Sequence, residues 1–280
     1  TGHGSSGPVV PRRACPMLVP ASGRRNRVTR PFSREFSALL RLRRRRTRGY
    51  LPAPVRPPPL PHQIGVLQRI LDRIASDDAD GGRPPVVVLD LDATLYDNRP
   101  RTLQILLEYA DAIREDSPDV AGALGTLDAS KVQYLLSDTL RSCALTHSEV
   151  VKDVTSFWRD RFFTDDYLRF DTPMEGAPEF VRACHEAGAV IVYLTGRDIP
   201  GMLVGTVRTL RDDGFPLGVP RVELVFKPTF EEPDTEFKKR MLDAMDELGT
   251  VIATFENEPG NCNLFLARWP ASWAVLIDTQ

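Results

Sequence analysis

The chain has 280 residues, 42% of them hydrophobic and 26% charged, with a formal net charge of −2; this is enough for a sizeable core and excludes collagenous, disulfide-dense and wholly disordered classes. Charge is unevenly spread, because residues 1–60 carry fourteen Arg, no Lys and one acid, Glu35, whereas 61–280 carry 22 basic against 37 acidic residues. No run approaches the roughly 20 apolar residues that span a bilayer, and Cys15, Cys143, Cys184 and Cys262 show no CxxC pair, so the expectation is a cytoplasmic protein with reduced thiols and no membrane partner.

Residues 1–60 are rich in Pro, Arg and Ser, with Arg41-Leu42-Arg43-Arg44-Arg45-Arg46 and Pro57-Pro58-Pro59 near their end. They lack the apolar periodicity that offsets ordering entropy, and disorder is the expectation. A basic arm of this kind suits an acidic surface, a transit peptide or a linker without a role. A nucleic-acid partner is disfavoured, since aromatics for stacking are limited to Phe32, Phe36 and Tyr50.

From His62 onward Ile64, Leu67, Ile70, Leu71 and Ile74 place an apolar stripe along a helix, followed by an Asp/Gly-rich loop. Pro85-Val86-Val87-Val88-Leu89 then reads as a strand buried on both faces. It ends in Asp90-Leu91-Asp92-Ala93-Thr94, two carboxylates and a hydroxyl. Two such carboxylates would repel in a dry pocket unless a cation or a proton neutralised one of them.

Between Asp97 and Asp171 only helical patterns occur: one after Pro100, a second over about 129–143, and a third opened by the capping box Thr146-x-x-Glu149. This stretch is too long for a plain strand-to-helix loop and predicts an inserted helical cap. Downstream, predicted helices at about 176–187, 200–213 and 234–248 end at Gly188, Gly214 and Gly249 and alternate with strands at 189–194, 222–226 and 250–255. A short helix, 261–268, and a strand, 273–277, complete a doubly wound, Rossmann-like parallel α/β sheet. The predicted division is a disordered segment over 1–60, an α/β core from 61–97 and 171–280, and a helical cap over 98–170. In such sheets ligands bind beyond the carboxyl ends of the strands, where Asp90, Thr195, Lys227 and Glu256 all emerge. No histidine accompanies these residues in sequence and no Gly-x-Ser-x-Gly elbow is present, which argues against a serine-triad hydrolase.

Four blocks in order carry a family resemblance: Asp90-Leu91-Asp92-Ala93-Thr94-Leu95; Thr195-Gly196-Arg197-Asp198 after the strand ending at Leu194; a lysine, Lys227 or Lys238; and Glu256-Asn257-Glu258-Pro259-Gly260-Asn261 after Val251-Ile252-Ala253-Thr254-Phe255. From about Pro84 to the C-terminus the chain resembles the haloacid dehalogenase superfamily of phosphohydrolases. The resemblance implies a Mg²⁺-dependent phosphatase acting on a small-molecule phosphate ester through an aspartyl-phosphate. Asp90 is then the nucleophile, Asp92 the acid and base, Thr195 and Lys238 the groups that stabilise the phosphoryl, and Thr94, Gly196, Arg197 and Lys227 the substrate-binding residues. Asp90, Asp92, Glu256 and Glu258 become the metal-ligand candidates, with Glu256 favoured over Glu258 for its place at the strand end. Two departures stand out. The fourth block presents Glu256 and Asn257 where the family presents aspartate, which keeps a catalytically silent binding or regulatory module as the alternative, and phosphomutase or other hydrolase chemistry as lesser ones. The lysine has two candidates, of which Lys238, with Asp234 as N-cap, is favoured.

Overall fold

Strand β1 (Pro85–Leu89) is buried along its whole length and lies at the centre of the sheet. The computed structural model describes residues 61–79 and 82–279, so the expected disorder of residues 1–60 lies outside them. Before β1 runs α1 (Pro61–Ala79), and after it come β2 (Tyr96–Asp97), α2 (Arg99–Ala112), α3 (Pro118–Gly125), a 3-10 turn (Ala129–Lys131), α4 (Leu136–Ser142) and α5 (Ser148–Phe162). A second 3-10 turn (Leu168–Phe170) leads to β3 (Thr172–Pro173), α6 (Ala177–Glu186), β4 (Val190–Asp198), α7 (Ile199–Asp212), β5 (Val222–Lys227), α8 (Asp234–Leu248), β6 (Thr250–Glu256), α9 (Pro259–Arg268) and β7 (Trp273–Leu276).

Five strands pair in the order β5-β4-β1-β6-β7, all parallel. The alternating side chains of β1 divide between two cores. Val87 and Leu89 join Ile70 and Ile74 of α1, Phe180 and Val181 of α6, and Leu210 of α7. Val86 and Val88 join Phe237, Leu242 and Met245 of α8 and Phe265 of α9. Helices therefore cover both faces, which is why the β-branched run of β1 carries no polar position until Asp90.

The chain leaves the sheet through β2 and returns through β3, and these two short strands pair antiparallel, Tyr96 with Pro173 and Asp97 with Thr172. Between them the helices enclose their own small core, with Leu106, Ala110, Leu124, Leu140 and Val154 buried in it. Local structure departs from the expectations read from sequence in the insert and at the start of α8. The expected helix over 129–143 is a 3-10 turn followed by α4, with Val132 to Leu135 in between, and α3 was not foreseen. At the start of α5 His147 occupies the N-cap position with no side-chain cap, so the Thr146-x-x-Glu149 box does not form. Helix α8 has Pro233, not Asp234, at its N-cap. Its Pro-fixed φ suits that place, and the Asp234 carboxylate instead pairs one turn on with Lys238, at 3.3 Å.

Candidate active site

Asp90 leaves the end of β1 with its N–H donating to the Phe255 carbonyl of β6, 3.0 Å away, so its side chain starts from a fixed backbone. Lys238, on the second turn of α8, donates to Asp90 Oδ1 at 2.8 Å and to Glu256 Oε1 at 2.5 Å. One buried ammonium thus bridges the ends of two adjacent strands. Thr94 Oγ1 donates to Asp90 Oδ2 at 3.1 Å, and Asn257 Oδ1 lies 3.4 Å from the same hydroxyl. Burial pushes the Asp90 carboxyl up to about 7; Lys238 opposes the rise and Glu256 adds to it. For Lys238 burial works against the charged form, but Asp90 and Glu256 together hold its ammonium above the ordinary value.

The turn after Asp90 is tight. Ala93 adopts φ +56°, a left-handed conformation that costs a non-glycine residue on the order of 1 kcal/mol. The Leu91 carbonyl compensates by accepting from the N–H groups of Thr94, Leu95 and Tyr96. Across the cavity, Gly196 follows Thr195 in β4. A Cβ at 196 would collide with the Asp234 carboxylate, so any other residue in this approach of β4 to α8 would push that carboxylate aside.

Asp92 sits differently from the expectation of a free acid. Arg197 Nε and Nη2 donate to its two oxygens at 2.8 and 3.0 Å, and Arg101 Nη2 donates to Oδ1 as well. Asp171 completes the group, 3.0 Å from Arg197 Nη2 and 2.9 Å from Arg101 Nε. Burial pulls the Asp92 carboxyl upward, but Arg197 and Arg101 outweigh it and hold the group well below the usual carboxylate range. About 30% of the Asp92 side chain remains exposed, whereas both guanidinium groups are buried. Arg197, expected to bind substrate, has its donors committed to Asp92, Asp171 and Thr206.

These residues converge at the carboxyl end of the sheet on a cavity of about 390 Å³, whose walls include Asp90, Asp92, Gly196, Arg197, Lys227, Lys238 and Glu258. Thr94, Thr195 and Glu256 lie behind that wall. The Thr195 hydroxyl is buried and accepts the Arg197 N–H at 3.2 Å, which makes it a support for the turn. Lys227 is buried at the end of β5 and donates to the Phe230 and Glu232 carbonyls. Of the two lysine candidates, only Lys238 reaches Asp90.

Glu256, favoured from the sequence as the third metal carboxylate, is fully buried with its oxygens occupied. Oε1 accepts from Lys238 and from Asn261 Nδ2 at 2.8 Å, and Oε2 accepts the Glu258 N–H at 2.8 Å. Asn257 and Glu258 line the cavity in its place. Among the described residues no trio of His, Cys, Asp and Glu is grouped to hold a metal ion. Oxygen donors that line the cavity include the Asp90 carboxylate, which also accepts from Lys238 and Thr94, the Asn257 amide and the Glu258 carboxylate, all hard oxygens. That set fits Mg²⁺, which keeps several waters and is commonly bound through one or two carboxylates and the substrate's phosphate. Asn257, Arg101 and Asp171 were missed in the sequence. A strand-end Asn beside two Glu, and lone charged residues where the insert leaves and rejoins the sheet, were the available signals.

Fold and site together define a doubly wound parallel α/β protein with a cavity at the strand ends, lined by both acidic and basic side chains, and a helical insert beside it. No family model matches the chain, and no curated protein matches it in sequence. Among solved structures it is similar to a candidate phosphatase from Clostridium difficile, at 16% identity and a TM-score of 0.41 over 64% of this chain and 79% of that one. A hydrolase from Streptococcus pneumoniae is similar at 13% identity and 0.39, over 65% and 87% of the two chains. A candidate β-phosphoglucomutase from Thermotoga maritima is similar at 15% and 0.34, over 66% and 81%. Overlap this loose leaves the functional reading to rest on the site's own chemistry.

Proposed function

We propose that the protein is a Mg²⁺-dependent phosphatase of the haloacid dehalogenase type that hydrolyses a small phosphorylated metabolite through an aspartyl-phosphate at Asp90. The observation that carries the reading is the placement of Asp90: a carboxylate at the end of a central buried strand, facing a cavity, with one oxygen on Lys238 and the other on Thr94. A carboxylate held by two hydrogen bonds is aimed, and its raised pKa keeps it nucleophilic once ionised. Asp90, Asn257 and Glu258 would hold a divalent cation, whose charge would let two anions approach.

In the proposed reaction an Asp90 oxygen attacks phosphorus and the ester oxygen leaves, taking a proton from Asp92. Water then attacks the same phosphorus, Asp92 accepts its proton, and phosphate departs to restore Asp90. Lys238 balances charge on Asp90 and, through it, on the transferring group. Because both Asp92 oxygens accept from guanidinium groups that keep it ionised, its role as acid requires the carboxylate to turn from Arg197 and Arg101 toward the cavity, to which it is already partly exposed, and to take a proton from solvent before the ester oxygen leaves. The insert closes over the cavity as a cap, and the free thiols of Cys143, Cys184 and Cys262 suit a cytoplasmic setting. No described helix is long and apolar enough to cross a membrane.

A silent binding module is the second reading, and the locked Asp92 favours it. Phosphate release from a panel of phosphomonoesters, with and without Mg²⁺, separates the two. Metal-dependent release that disappears in Asp90→Asn supports the phosphatase; phosphate-ester binding without release from any panel member supports the module.

A further inference from the structure

The insert's side of the cavity has a different chemistry. The insert contributes Trp158, Phe162 and Phe163 from the end of α5, and Tyr134 and Leu135 from the segment before α4. Trp158 stacks on Phe162 with ring centroids 4.3 Å apart and 29° between planes, and Phe163 meets both rings edge-on. The indole N–H is already satisfied by Thr102 Oγ1 at 3.2 Å, and Arg101 covers the Phe162 ring at 3.8 Å. What the cluster offers a ligand is therefore aromatic surface rather than hydrogen bonds. Tyr134 and Leu135 are large apolar residues that stay exposed at the cavity's edge, 44% and 54%, although a solvent-facing loop ordinarily carries polar side chains.

A polyol leaving group would require convergent donors and acceptors for its hydroxyls, since a buried hydroxyl without a partner costs binding. Of the polar side chains on the insert's wall, Arg99 is paired with Asp97 at 2.6 and 2.8 Å and Thr102 is engaged by the indole, which leaves Asn98, Gln133 and the Tyr134 hydroxyl beside Leu135, Trp158, Phe162 and Phe163. From this asymmetry we infer that the site selects phosphomonoesters whose alcohol half carries a flat aromatic ring, seated against Trp158 while the phosphate faces Asp90. The inference rests on the proposed phosphatase reading for the position of the phosphate, and on the insert's aromatic wall for the ring. Offset or edge-on ring contacts within a water-poor pocket supply the preference.

Calorimetric titration of the full chain with Mg²⁺ and non-hydrolysable phosphonates tests it independently of turnover. Benzylphosphonate should bind about tenfold or more tighter than methylphosphonate, and tighter than dihydroxybutylphosphonate, a polyol isostere. The benzyl-to-methyl ratio should collapse in Trp158→Leu, which keeps an apolar filler, and persist in Trp158→Phe; Tyr134→Ala, at an exposed position, should lower the ratio without unfolding the insert. A nucleoside 5′-phosphonate binding more tightly than benzylphosphonate would assign the ring to a nucleobase, and the reverse to a ring one carbon from the phosphate. Equal affinity for the polyol and benzyl compounds, or an unchanged ratio in Trp158→Leu, overturns the aromatic pocket even if phosphate release is observed. Failure to release phosphate, with the ring preference intact, strikes the phosphatase reading alone. Absence of binding by every phosphonate overturns both.

Discussion

Asp90 carries a measurable conflict between stability and chemistry. Its carboxyl lies near 7 in the fold against 3.8 for an unperturbed Asp, because burial disfavours the charge. A group raised by folding contributes stability that is fully present below the unfolded pKa and is lost as pH rises through the folded one. Without metal, wild type should therefore lose stability between about pH 4 and 8 relative to Asp90→Asn, each tenfold difference in proton affinity between the folded and unfolded chain being worth about 1.4 kcal/mol. Denaturant unfolding at several pH values checks this, and a parallel course for the two proteins would mean that Asp90 is not strained by its burial. Asp90→Asn should at the same time abolish phosphate release. Lys238→Met removes the one ammonium that bridges Asp90 and Glu256, leaving two buried carboxylates facing each other. A loss of about 3–5 kcal/mol in unfolding free energy is expected, together with loss of turnover. For the metal, Asn257→Ala and Glu258→Gln should each weaken Mg²⁺ in calorimetric titration, whereas Glu256→Gln should act chiefly on stability through Lys238 and Asn261. A larger loss of Mg²⁺ affinity in Glu256→Gln would return the ligand to the strand end.

At the scale of elements, the four-charge cluster joins the insert's two connections to the turn after β1. Arg101 enters on α2, Asp171 stands just before β3, and both meet Asp92 and Arg197 of the core. Arg101→Met and Asp171→Leu should each destabilise the protein, because each strands a buried partner, while the double variant should lose clearly less than the two losses added together. A double-mutant cycle by denaturant unfolding reads the coupling; strict additivity would show that the pair does not act as a unit. The sheet strands were readable from their β-branched runs, and α8 from its periodicity and flanking Gly249. The insert was readable only as helical. Its short pieces are set by the core around Leu106, Leu124 and Leu140, a tertiary effect that overrides the local Thr146 signal. The cluster was hidden because Arg101, Asp171 and Arg197 lie 70 and 26 residues apart, and spacing alone does not pair them.

For the molecule as a whole, convergence of Asp90, Gly196, Lys227 and Lys238 on one rim followed from the alternation of strands and helices, since every parallel strand delivers its end to the same side. What alternation could not tell was which residue of Glu256-Asn257-Glu258 faces the cavity, a question decided by the hydrogen bonds that retain Glu256 behind Lys238. The central claim is that Asp90 itself becomes phosphorylated. Its most direct test is acid quenching of the protein during turnover of a small phosphate donor such as acetyl phosphate with Mg²⁺, followed by mass spectrometry of the peptide that carries Asp90. A single phosphoryl group on Asp90, present in wild type and missing in Asp90→Asn, is the result predicted. Phosphate release with no phosphoryl group on that peptide at any quench time, or a group on another residue, would contradict it.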